Sequence, residues 1–126
     1  MKKSFLSIVG VGLVVAACSS ASDTDPAVQD ANVTTVNVGG SAGNQFSPAE
    51  VTVKVGSKVR WSFAAGTPHN VVSGADCANP QPATFSSGEP GAVTTFEHLF
   101  ETAGDFFYQC TLHCSMNMKG VVHVTP

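Results

Sequence analysis

The sequence predicts an all-β fold, an antiparallel sandwich of about eight short strands over residues 33–126. Three observations carry that expectation. Apolar and polar residues alternate with a period of two, the pattern of a half-buried strand. Helical periodicity is absent from this stretch, and Gly, Pro and Asn interrupt the apolar runs at short intervals. Its ninety-four residues suffice for one small core and not for two.

The elements follow in order. Val33-Thr34-Thr35-Val36-Asn37-Val38 is a first strand, closed by Gly39-Gly40. Val51, Val53 and Val55 alternate with Thr52 and Lys54, and Gly56-Ser57 then turns the chain. Val59, Trp61 and Phe63 alternate with Lys58, Arg60 and Ser62, so the pair reads as a hairpin with an aromatic core face. Asn70 to Ser73 is a short strand, Ser86 to Pro90 a loop, and Val93 to Phe100 a further strand. Phe106, Tyr108 and Cys110 fall on one face of the next strand, and Gly120 to Thr125 closes the domain. The segment from Gly74 to Gly91 is the least patterned, with room for one turn of helix.

Ahead of the domain, Met1-Lys2-Lys3 precedes an apolar run from Phe5 to Ala17 that is too short to span a bilayer. A basic start, a short apolar core and small residues at its end read as an export signal over residues 1–17. The run closes as Val15-Ala16-Ala17-Cys18, which resembles the lipobox of bacterial lipoproteins. That resemblance implies a mature N-terminus at Cys18 carrying lipid; the alternative is ordinary cleavage near Ala21. Residues 18–32, rich in Ser, Ala and Asp, read as a flexible tether. The expected location is the outer face of a membrane, periplasmic or extracellular.

Of six Lys and Arg, Lys2 and Lys3 lie in the signal, leaving four against nine Asp and Glu. Few and scattered basic residues exclude a nucleic-acid-binding surface. Export also places the thiols in an oxidising compartment. With Cys18 assigned to lipid and Cys110 to metal, Cys77 and Cys114 remain as the candidate disulfide. Pairing of Cys110 with either of them is the competing possibility.

The stretch from Cys110 to Gly120 holds a thiol, an imidazole at His113 and two thioethers at Met116 and Met118. Thiolate and thioether favour cuprous copper while imidazole accepts both oxidation states, so the set suits a cycling copper ion. A second imidazole completes a trigonal set, and His69 is the candidate, in Thr67-Pro68-His69-Asn70-Val71. Pro68 stiffens its approach. His98 shares a strand face with Phe96 and Phe100 and reads as partly buried; His123 reads as solvent-facing.

Pro-His-Asn-Val followed by Cys-x2-His-x4-Met-x-Gly resembles the cupredoxins, the small blue copper proteins. Here that pattern is His69-Asn70-Val71 with Cys110, His113, Met118 and Gly120. The likeness covers essentially the whole domain, including Phe46-Ser47-Pro48 and Phe100-x3-Gly104. It implies a Greek-key sandwich with one type 1 copper held by His69, Cys110 and His113 and an axial thioether. Met118 is the expected axial donor and Met116 its rival. It also implies that Asn70 hydrogen-bonds across to the Cys110 loop near Thr111. The ligand loop is short, as in plastocyanin and pseudoazurin, whereas the Cys77 and Cys114 pair is similar to that of the phytocyanins.

Such a site passes single electrons between redox proteins. The expected contact surface is the edge of His113 with Leu112, Pro68 and Met116, on a monomer. Four His without a His-x-His pair exclude the copper clusters of oxidases, so no enzymatic activity is expected. The alternative function is a copper carrier or reservoir in the same compartment.

Overall fold

The structure, a computed structural model, describes residues 32–126. Cys18, the signal and the tether as far as residue 31 lie outside the described residues. Eight strands form two four-stranded sheets: β1 (Val33–Val38), β2 (Phe46–Ser47), β3 (Glu50–Lys54), β4 (Ser57–Phe63), β5 (Val72–Ser73), β6 (Thr95–Phe100), β7 (Gly104–Gln109) and β8 (Lys119–Thr125). One sheet runs β2-β1-β4-β6 and the other β3-β8-β7-β5. The expected all-β sandwich is present. Its sheets are not antiparallel throughout, as the sequence predicts, but mixed: β1 pairs with β4 and β3 with β8 in parallel, because consecutive strands cross between the sheets, while the remaining pairs are antiparallel.

The expected hairpin of β3 with β4 does not form; the two strands lie in different sheets. The crossing occurs at Val55-Gly56. Val55 N–H donates to Thr125 O in one sheet and Gly56 N–H donates to Phe100 O in the other. Gly56 allows this with φ 87. In a two-residue hairpin, Val51, Val53, Val59 and Trp61 would crowd one face of one sheet. Split between sheets, they oppose one another and bury together. Val55, beyond the end of β3, is left exposed.

The core is aromatic and valine-rich. Trp61 packs on Tyr108, Phe85 and Phe96 at ring separations of 5.2, 5.8 and 5.5 Å. Tyr108 O–H and Trp61 Nε1 are both buried without a hydrogen-bond partner. Burial pushes the phenol up to about 12, so Tyr108 stays neutral. Phe85 comes from the Gly74–Gly91 segment, which contains no helix; it is a run of turns with one isolated bridge, Val72 to Ser86. His98 is half-buried between Phe85 and Phe100, each 4.8 Å away. His123 is partly exposed and pairs with Asp105 at 2.6 Å.

β1 and β4 run side by side, Val33 opposite Lys58 and Val38 opposite Phe63. Asn32 is therefore about 20 Å from the far end of β1, at six residues and roughly 3.3 Å each. At that far end the chain turns at Gly39 toward His69. The described chain thus begins at one pole and carries its metal candidates at the other.

Candidate metal centre

Cys110 follows directly on β7, on the inward face with Phe106 and Tyr108, and is fully buried. Its N–H donates to Met118 O at 3.1 Å, and Met118 N–H donates to His113 O at 3.2 Å. The chain between them closes into a tight loop: His113 N–H donates to Cys110 O, and Cys114–Met116 forms a 3-10 turn. Asn117 ends that turn at φ 64, a left-handed conformation that Asn tolerates better than most residues. This turn escaped the sequence reading, which has no periodicity to work with over three residues.

Gly120 has a steric reason to be glycine. It lies opposite Tyr108 in the β7–β8 pairing, and a Cβ there would come 2.3 Å from the Tyr108 ring. Ring and glycine interlock, which fixes where β8 starts after the loop.

Three donors converge. His69 Nδ1 is 3.8 Å and His113 Nδ1 3.5 Å from Cys110 Sγ, and the two nitrogens are 3.1 Å apart. All three residues are buried, and this is the one group among the described residues with metal-ligand spacing. An ion about 2.0 Å from each nitrogen and about 2.3 Å from sulfur, in one plane, would leave donors roughly 3.5–3.7 Å apart. The donors therefore fit such an ion with sub-ångström adjustment. Burial, and then the neighbouring His113, hold the His69 pKa below its ordinary 6.5, which keeps that imidazole neutral and its lone pair available at pH 7.

The two thioethers separate by burial. Met118 is fully buried within the core cluster, whereas Met116 is 56 % exposed with Sδ 4.0 Å from Asn44 Nδ2. Only Met118 is placed inside, on the loop that carries Cys110 and His113.

Around the donors, Asn70 joins the two ligand-bearing segments. Thr111 N–H donates to Asn70 Oδ1 at 2.9 Å, while Asn70 Nδ2 reaches Gly88 O at 2.9 Å and Thr111 Oγ1 at 3.0 Å. A side chain that spends both amide groups in this way locks the loop position relative to His69. Cys77 and Cys114 are disulfide-bonded, with Cα atoms 5.7 Å apart, and Cys110 is free.

The turn carrying Cys77 is held by Asp76, which accepts from Ala78 N–H and Asn79 Nδ2. Those two bonds keep its carboxyl below the usual range. Gln109, just before Cys110, is fully buried and donates to Asp76 O at 3.2 Å. Its Oε1 lies 2.9 Å from Cys114 Sγ, a sulfur–oxygen contact, since a disulfide sulfur has no proton to donate. Sequence reasoning passed over Gln109. The available signal was a lone amide directly after the aromatic run Phe106-Phe107-Tyr108.

The expected contact residues lie at the same pole. Leu112 is 52 % exposed, Pro68 is exposed, and the His113 ring itself is nearly covered.

Comparison with known proteins points the same way. The sequence profile of copper-binding proteins of the plastocyanin/azurin family matches residues 33–125. Plastocyanin of Scenedesmus fuscus is 34% identical over 95 residues, covering 71% of this chain and 97% of that protein. Halocyanin of Natronomonas pharaonis is 36% identical over 106 residues, covering 80% of this chain and 60% of that protein. Among solved structures, a mutant fern plastocyanin superposes with a TM-score of 0.61 at 28% identity, over 73% of this chain and 100% of that one. A purple cupredoxin from Nitrosopumilus maritimus gives 0.62 at 25% identity, over 73% of this chain and 99% of that one. With the fold, the donor set and the profile in agreement, the chain belongs to the plastocyanin/azurin family of copper-binding proteins, the cupredoxins.

Proposed function

We propose that this protein is a single-electron carrier with one type 1 copper held by His69, Cys110 and His113, with Met118 as axial donor. The observation that carries the proposal is the convergence of two imidazoles and one cysteine sulfur, all buried, on one point. A bound copper ion supplies a one-electron change between its cupric and cuprous forms. The residues supply the rest. Cys110 and the imidazoles are held by the Asn70 bonds, the disulfide and the Tyr108–Gly120 interlock, so the donors move little when the charge changes. Burial of His69, Cys110 and His113 excludes water.

Electrons pass through the His113 edge. Leu112 and Met116 beside it in the chain, and Ala64, Ala65 and Pro68 ahead of His69, are all exposed and none is charged. A redox protein can press against such residues without stripping water from charges. The position of Asn32 at the opposite pole supports attachment there: an N-terminal tether ending in lipidated Cys18 leaves the copper pole free for partners on the outer side of a membrane.

The test is a reductive titration of copper-loaded protein. An electron carrier absorbs intensely in the visible, loses that absorption with one electron per chain, and recovers it on reoxidation with the copper still bound. A carrier or reservoir of copper stays pale or releases the ion on reduction, and that result would replace this reading.

A further inference from the structure

The ring of His69 is walled on the side away from Cys110. A Cβ built on Gly39 would lie 2.7 Å from His69 Nε2 and 2.8 Å from its Cδ2. Gly39 follows the last residue of β1 and is itself buried. Its N–H donates to Gln45 O at 3.1 Å, and the preceding carbonyl, Val38 O, accepts from Ala64 N–H at 3.0 Å. The loop is therefore fastened at the point where it meets the ring.

We infer that Gly39 is a positioning residue for the metal centre: the missing side chain lets the β1–β2 loop close on the Nε2 edge of His69 and so sets how far Nδ1 projects toward Cys110 and His113. A methyl group there must regain at least about 0.7 Å, the difference between 2.7 Å and the 3.4 Å of an ordinary contact. The loop is pinned on both sides, so the ring gives way. Its opposite edge already has Nδ1 at 3.1 Å from His113 and 3.8 Å from Cys110 Sγ. Metal sites tolerate about 0.2 Å in ligand distance, so the displacement exceeds that tolerance severalfold.

A matched control is built into the same loop. Gly39 has φ 74 and ψ −147, and Gly43 has φ 70 and ψ −143, so a side chain at either strains the backbone alike. A Cβ on Gly43 meets nothing within 4 Å. Gly39→Ala and Gly43→Ala thus share the backbone cost, and only the first presses on His69.

The consequence for metal rests on the copper reading above, so the experiment keeps the two apart. Cadmium(II) affinity of the metal-free protein and the visible spectrum of the copper-loaded protein are measured for wild type and both variants. Gly39→Ala should bind cadmium roughly 10–100-fold more weakly and shift the absorption band, while Gly43→Ala stays within about twofold of wild type. Equal behaviour of the two variants overturns the inference. A second measurement stands without any metal: urea midpoints of metal-free Gly39→Ala and Gly43→Ala, each with and without His69→Ala. Gly39→Ala should be the less stable of the pair while the ring is present, and the two should converge once it is removed. If Gly39→Ala is no less stable, or stays unfolded without the ring while Gly43→Ala folds, the inference fails. Absence of copper colour in wild type would count against the metal reading alone.

Discussion

Removing the disulfide is expected to cost more than any other single change outside the core. Cys77 and Cys114 are separated by 37 residues, and closing a loop of that length restricts the unfolded chain by about 4 kcal/mol in the chain-entropy treatment. The total stability of a domain this size is typically about 5–15 kcal/mol, so the bond is a large share. Alanine at both positions keeps Cβ and leaves Cys110 as the one thiol among the described residues, which avoids mispairing. Urea unfolding of the metal-free double variant should show a loss of roughly 3–4 kcal/mol and a Tm lower by roughly 15–30 °C. Metal-free protein is required because bound copper stabilises the folded state by mass action. The m-value should rise, since the unfolded chain expands when the cross-link is gone. A loss below about 1 kcal/mol would refute the entropic argument.

Met118→Gln should shift the reduction potential and visible spectrum of copper-loaded protein, whereas Met116→Gln should leave both near wild type; the reverse ranking would make the exposed thioether the axial donor. Leu112→Asp should slow electron exchange with a redox protein while leaving the absorption intact, and an unchanged rate would place the exit elsewhere. His69 and His98 are both held below their ordinary 6.5, chiefly by burial. Folded metal-free protein takes up these protons less readily than the unfolded chain, so its stability is full above about pH 6.5 and declines as pH falls through that value and below. Urea midpoints measured from about pH 7.5 to about pH 5 should fall, less steeply in His98→Gln, and a flat profile would contradict the assignment.

Much of this protein was legible because its constraints are local. β1 matches its sequence span residue for residue, since Val36 and Val38 announce the inward face and Gly39 the end. The donors were legible because Cys110 and His113 lie on one loop and the His69 segment has a distinctive neighbourhood. Sheet membership was not. Whether Gly56 makes a hairpin or a crossing depends on Thr125 and Phe100, partners forty or more residues away. Nor were β2, two residues long, or the burial of Gln109 under the Asp76 turn, because each exists only through long-range contacts. Gly39 shows the same division: its sequence context says turn, and only the fold brings His69 against it.

The central claim is that the buried Cys110 sulfur binds copper together with His69 and His113. Its most direct test is the visible spectrum of purified protein after one equivalent of cupric ion, compared with Cys110→Ser. Wild type should develop an intense thiolate-to-copper charge-transfer band and the variant should remain folded and nearly colourless. An intense band that survives Cys110→Ser would contradict the claim.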